Sequence, residues 1–225
     1  MKTTLLIPTL NEIDGMRAIM PRVKPEWVDE ILVIDGGSTD GTVEYAQKSG
    51  YRVVHQKSKG ITNAYKEALD HVRGDVVVTF SPDGNSVPEL IPDLLNKMKE
   101  GYDMVVVSRY LGSAKSEDDD PVTAFGNWLF TTAINVIFGG HYTDTLVIYR
   151  AWKKDIVQQF TVDVPRAGFE PLLVIRCARY QMKIAEIPGD EPKRIGGVRK
   201  MQPLLNGLDI CRLIGAEWWG MLRRR

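Results

Sequence analysis

Glu12, Asp35, Asp83 and Arg109 each stand just beyond a short apolar run, where a buried segment gives way to a turn. Asp35 directly follows Ile31, Leu32, Val33 and Ile34. A carboxylate fixed there can accept hydrogen bonds from a nucleobase or a ribose. It can equally open an Asx-type turn with Gly36, Gly37 and Ser38. Asp83 lies three residues past the run 76–80, between Pro82 and Gly84. A carboxylate in such a tight turn suits Mg²⁺ or Mn²⁺, which would absorb charge developing on a pyrophosphate leaving group. A plain turn is the competing reading, since Pro-Asp-Gly is a strong turn former. Arg109 could grip phosphate through two parallel N–H donors, or serve a structural ion pair.

Weaker signals lie elsewhere. Lys59-Gly60 precedes a helix start and could touch phosphate, although no Walker-type pattern surrounds it. Arg194, Arg199 and Lys200 surround Gly196-Gly197. That arrangement reads either as a lid over an anionic ligand or as a solvated basic loop. His141 and Asp144 flank a turn, where either a catalytic or a structural role is open.

The elements that must position these residues alternate. Apolar runs at 4–7, 31–34, 53–54, 76–80 and 104–107 read as strands. Helical patterns at 15–23, 42–49, 62–72 and 88–99 separate them. Strands of near-continuous Val, Ile and Leu are covered on both faces, so the chain predicts an α/β, mostly parallel sheet flanked by helices. Ligands in such sheets sit beyond the carboxyl ends of the strands, where the polar residues above gather. Asp40 is expected to cap the helix that follows it. Downstream, an acidic loop at 112–120 precedes a charge-free helix at 121–140. Strands are expected at 146–149 and 184–187, and a helix at 170–180. A last amphipathic helix begins after Pro203, with Leu204, Leu208, Cys211, Trp218 and Leu222 expected on one face.

Composition narrows the class. Lys+Arg and Asp+Glu both number 29, so no basic excess points to nucleic acid. Cys177 and Cys211 match no metal or disulfide spacing, which predicts buried free thiols in a reducing, cytoplasmic compartment. The N-terminus shows no signal-peptide pattern. The segment 121–140 is long enough to span a bilayer, but Asn127, Asn135 and several threonines and glycines dilute it. A buried or membrane-surface helix is therefore expected, with Trp218-Trp219 beside the terminal arginines as a second candidate for interfacial contact.

Taken in order, IPTLNE (7–12), VIDGGSTDGT (33–42), KGITNAYKEAL (59–69), GDVVVTFSPDGNSVPELIPDLL (74–95) and YDMVVVSRYLG (102–112) resemble the family 2 glycosyltransferases of the GT-A fold. TDTLVIYRAW (143–152), FEPLLVIRCAR (169–179) and IAEIPGDEPKRIGGVRKM (184–201) are similar to the branch of dolichyl-phosphate mannose synthases and related polyprenyl-phosphate sugar transferases. The resemblance implies a GT-A domain over residues 1–200, with a nucleotide-sugar half at 1–110 and an acceptor half at 111–200, followed by a C-terminal amphipathic helix at 201–225. It implies inverting transfer from a UDP- or GDP-sugar with a divalent cation, Mg²⁺ or Mn²⁺. By position, Pro8, Asn11, Glu12, Asp35, Gly60 and Pro82 would line the nucleotide. Asp83 would hold the cation, assisted by Asn85, while Asp83, Arg109 and Asp144 would form the catalytic set. Arg194, Arg199 and Lys200 would meet acceptor phosphate or diphosphate. A lipid-phosphate acceptor would place the protein peripherally on the cytoplasmic face of a membrane.

The sequence also departs from the family. Ser81 stands where the first Asp of Asp-x-Asp is usual, and Gly36 replaces the second acid after Asp35. These departures keep open a nucleotide-sugar-binding protein without turnover, and the acidic loop keeps open a saccharide hydroxyl as acceptor.

Overall fold

The computed structural model describes residues 1–159, 168–196 and 203–223 of the 225. The first half alternates β1 (Thr3–Thr9), α1 (Ile13–Ile19), β2 (Glu30–Asp35), α2 (Thr42–Lys48), β3 (Arg52–His55), α3 (Ile61–Leu69), β4 (Val76–Thr79), α4 (Ile91–Lys99) and β5 (Met104–Ser108). The second half adds α5 (Pro121–Phe138), β6 (Arg150–Lys153), α6 (Lys154–Gln159), α7 (Phe169–Arg179), β7 (Ile184–Pro188) and α8 (Pro203–Leu222).

One sheet runs in the order β3-β2-β1-β4-β6-β5-β7. Only β6 runs antiparallel to its neighbours among the described strands. The carboxyl ends of the other six and the amino end of β6 therefore meet at one edge, which is where the sequence concentrates its polar residues. Side chains alternate across the sheet as period 2 requires. Leu6, Leu32, Ile34 and Val77 pack with α3, α5, α7 and α8 on one face. Leu5, Ile7, Val33 and Val78 pack with α1 and α4 on the other. Both faces are buried, which is why the strands read as unbroken apolar runs.

Four expectations are corrected. The strand placed at 146–149 lies at Arg150–Lys153 instead, because β4 pairs Thr79 with Arg150 and Val76 with Lys153. Arg150 is fully buried within that strand, its Nη groups donating to the carbonyls of Thr145, Val147 and Glu170, so a charge inside an apolar ladder masked the element. Gly41, not Asp40, occupies the N-cap of α2. Asp40 still accepts from the Thr42 backbone and hydroxyl, at 3.0 and 2.6 Å. α8 docks through Ile210, Leu213 and Ile214, while Leu208, Cys211, Trp218 and Leu222 face outward. Finally, Cys177 is buried, its thiol pushed up to about 12 by burial, but Cys211 is exposed.

Candidate active site

Register builds the first wall. Thr9 lies across from Asp35 in the β1–β2 ladder, and Asp35 across from His55 in β2–β3. The buried Asp35 carboxylate accepts the Gly37 and Ser38 N–H groups at 2.9 Å, the Ser38 hydroxyl at 2.5 Å and the Thr9 hydroxyl at 3.1 Å. Those four bonds match the carboxylate's acceptor capacity. The Asx-type turn is thus formed, and any further donor must displace a hydroxyl. The loop after β1 is joined to the same turn. Asn11, left-handed at φ 56°, donates its N–H to the Ser38 hydroxyl and accepts the Thr39 N–H, both at 2.8 Å. Glu12, whose side chain is buried, donates its N–H to Thr42 Oγ1 at 3.0 Å, and Ile13 donates to Asp40 at 3.0 Å. Burial opposes ionisation of Asp40, but the Thr42 and Ile13 bonds outweigh it and hold its carboxyl below the usual range. Pro8 is half-buried on this rim, and Gly60, at φ 102°, begins α3 with open space where a Cβ would stand. Sequence reasoning named Ser38 in the turn but missed Thr9 and Thr42, although hydroxyl residues beside a Gly-Gly turn were the available signal.

The second wall is the turn after β4. Gly15 of α1 packs so closely on it that a Cβ there would stand 2.3 Å from the Pro82 carbonyl oxygen. Buried Asp83 accepts the Asn85 N–H at 3.1 Å. Its other oxygen lies 2.6 Å from Arg194 Nη1. Ile195 donates its N–H to the Asp83 carbonyl at 2.8 Å and lies against Gly84. Asn85 Oδ1 is buried without a hydrogen-bond partner. One carboxylate and one orphaned amide oxygen are hard donors, so the turn fits Mg²⁺ or Mn²⁺ when substrate phosphate completes the shell. Among the described residues no group of three His, Cys, Asp or Glu could hold a metal by itself.

The third wall is organised by Arg109. Asp144 holds its guanidinium at two points, Nε–Oδ2 2.6 Å and Nη2–Oδ1 3.1 Å. Nη1 reaches Glu191 at 3.1 Å and Asp119 at 3.4 Å. Burial alone would favour the neutral form, but these three carboxylates, Asp144 foremost, raise the Arg109 pKa. Arg109 thus gathers three separated segments. Glu191 also accepts the Ser116 hydroxyl, and its backbone pairs with Lys115 and Glu117. Glu191 carried no sequence signal, because its partner Arg109 is 82 residues away, and Asp119 stood out only as part of the acidic loop. Arg194 joins this wall as well, with Nη2 4.0 Å from Asp118. Arg199 and Lys200 lie outside the described residues, and His141 is exposed.

From this wall an apolar face runs outward. Asp120 caps α5 by accepting the Thr123 N–H at 2.8 Å. Along the helix, Val122 (66% exposed), Phe125 (60%), Trp128 (60%) and Val136 (79%) are open to solvent. Leu205, Leu208 and Trp219 extend exposed apolar surface on α8, which packs beside α5. No helix among the described residues is long and apolar enough to cross a membrane.

The family model for glycosyl transferase family 2 matches residues 4–160, which contain all three walls except the 189–196 segment. The chain belongs to glycosyl transferase family 2. This transferase is 29% identical to the glycosyltransferase AglJ of Haloferax volcanii, over 90% of this chain and 67% of that one. It is 28% identical to an undecaprenyl-phosphate mannosyltransferase of Micrococcus luteus, over 100% and 99% of the two chains. Among solved structures, glucosyl-3-phosphoglycerate synthase of Mycobacterium tuberculosis, crystallised with Mn²⁺, UDP and phosphoglyceric acid, superposes with a TM-score of 0.72. That match is 23% identical and covers 95% of this chain and 76% of the other. The transferase therefore has the GT-A fold that its sequence motifs imply.

Proposed function

We propose that this transferase moves a sugar, with inversion, from a UDP- or GDP-sugar to a polyprenyl phosphate while resting peripherally on the cytoplasmic face of a membrane. The observation that carries this reading is the exposed apolar face of α5. It starts at Asp120, next to the Asp119 that pairs with Arg109, so a lipid chain lying along it would end at the third wall. The full-length match to an undecaprenyl-phosphate mannosyltransferase supports the same acceptor class. The acidic loop no longer argues against an anionic acceptor. Asp119 is paired with Arg109, Asp118 approaches Arg194, and Asp120 caps α5.

Division of labour follows the chain. Residues 1–110 would hold the nucleotide with Pro8, Asn11, Glu12, Asp35, Gly60 and Pro82, and residues 111–200 the acceptor. Asp83, with Asn85, would hold a divalent cation, which neutralises charge on the departing diphosphate. Arg194, joined by Arg199 and Lys200, would supply cationic groups to phosphate. Arg109, held by Asp144, would keep the acceptor wall in place. A phosphate acceptor is already an anion, so positioning and charge neutralisation supply most of the rate and no strong general base is needed.

Two measurements test this reading. Label should pass from a UDP- or GDP-sugar into the organic phase when undecaprenyl phosphate is offered in vesicles. Transfer to saccharide hydroxyls alone would overturn the acceptor. Asp35→Ala should weaken nucleotide binding in calorimetry by roughly 1–3 kcal/mol, the cost of leaving a base or ribose donor of the nucleotide without its acceptor. Unchanged affinity removes Asp35 from the site.

A further inference from the structure

We propose that Arg194 is the resident counter-ion of Asp83, and that a divalent cation gains Asp83 only by displacing the Arg194 guanidinium. The proposal rests on the reading of Asp83 as the cation's carboxylate. The Asp83 side chain is 6% exposed, and a carboxylate so enclosed requires a compensating charge or hydrogen bonds. Arg194 supplies that charge at 2.6 Å, from a side chain that is itself 25% exposed. Two cations cannot share the same oxygen without mutual repulsion, so metal and guanidinium are alternatives at this position.

Arg194 does not stand alone at this wall. Three successive residues close over the second wall. Arg194 pairs with Asp83, Ile195 donates to the Asp83 carbonyl, and a Cβ at Gly196 would lie 2.9 Å from Asp14 Cβ. The start of the same segment is fixed elsewhere. Glu191 pairs by backbone with Lys115 and Glu117 and by side chain with Arg109. Arg194 therefore leaves Asp83 by a swing of its own side chain, from a backbone held by Ile195 on one side and the Glu191 anchor on the other. A nucleoside diphosphate offers the released guanidinium a new anion, which compensates the lost pair. Metal alone offers none. The ion pair thus makes cation binding depend on the nucleotide, through a contact that exists before either ligand arrives.

The test is Mn²⁺ binding by electron paramagnetic resonance to the full chain, with and without UDP or GDP, in wild type, Arg194→Gln and Arg194→Lys. Urea midpoints confirm that each variant is folded. Without nucleotide, Arg194→Gln should bind Mn²⁺ about tenfold more tightly than wild type, within the usual range of coupling between sites. Added nucleotide should then strengthen its binding less than it strengthens that of wild type. Arg194→Lys, which keeps the charge, should behave as wild type. Equal or weaker nucleotide-free affinity in Arg194→Gln overturns the exchange while leaving the cation reading intact, provided Mn²⁺ binds with nucleotide. No Mn²⁺ binding by any variant, even with nucleotide, overturns both.

Discussion

Arg109 and Asp144 show how a residue type acquires its role from what surrounds it. Both readings of Arg109, phosphate contact and ion pair, are compatible with its place after a strand. The structure gives its donors to Asp144, Glu191 and Asp119. Asp144 is wholly buried, with Arg109 as its ion-pair partner; one further bond comes from Leu146 N–H at 3.3 Å, and the buried Arg150 attracts it from further away. Removing one partner of a buried pair leaves an uncompensated charge. Asp144→Ala should therefore destabilise the fold by about 3–5 kcal/mol in urea titrations. Glu191→Ala, at the more open end of the same guanidinium, should cost clearly less. Equal costs would mean that Arg109 does not depend on Asp144 first. The catalytic assignment of Asp144 makes a separate demand, that activity falls further than the folded fraction does.

Helices decide how much of the site was legible before the structure. The β1, β2 and β4 ends carried their chemistry openly, because parallel strands deliver every polar terminus to one edge, and Asp35 and Asp83 fall there as their runs predict. The β6 strand was hidden by Arg150, whose burial depends on carbonyls from Thr145, Val147 and Glu170 that no local pattern reveals. Nor could periodicity orient α8. Both its stripes are apolar, and the choice falls to Glu217, which pairs with Arg176 at 2.8 Å and Arg179 at 3.0 Å on α7. Against that anchoring, Leu208, Trp218 and Leu222 remain exposed. The Phe125 and Trp128 rings lie 5.7 Å apart on the open face of α5. Arg223 stacks on Trp219 at 5.2 Å, an aromatic-basic pair suited to an anionic lipid surface. Replacing Phe125 and Trp128 together with serine should change stability by less than about 0.5 kcal/mol per site, since neither is buried. Partial burial of the two rings in lipid would contribute about 2 kcal/mol, so flotation with anionic vesicles should weaken roughly thirtyfold. Undiminished flotation would exclude α5 as the membrane face.

At the scale of the whole molecule, the segments 1–110 and 111–200 are not separable bodies, because one core cluster draws residues from both. At its centre Tyr65 of α3 stacks on Phe169 at 5.1 Å, beside Glu170 of α7 and Arg150 of β6. All four are buried, so the two halves meet over a polar cluster sealed from water. Burial raises the Glu170 carboxyl above the usual range despite the attraction of Arg150, and lowers the Arg150 guanidinium despite Glu170. Glu170 Oε1 and Arg150 Nε both lack hydrogen-bond partners, consistent with a cost of keeping charge there. The sign of the linkage follows. A carboxyl whose folded pKa exceeds its unfolded value of about 4.3 favours folding below that pH, and the advantage is lost as pH rises through the folded value. Such a group accordingly pulls unfolding free energy down as pH rises above about 4.3, by at most about 1.4 kcal/mol per pH unit, against carboxyls held low, such as Asp40 and Asp103, which act in the opposite direction. Glu186, also raised by burial, contributes in the same direction. Glu170→Gln removes one of the two, so the downward pull on the slope of stability against pH from about 4.3 upward should shrink without vanishing. Urea midpoints measured at intervals from acid to neutral pH give that slope for both proteins. An unaltered slope in Glu170→Gln would mean that Glu170 titrates alike in the folded and unfolded chains. The cluster joining the halves would then contribute packing, with no electrostatic cost that pH can relieve.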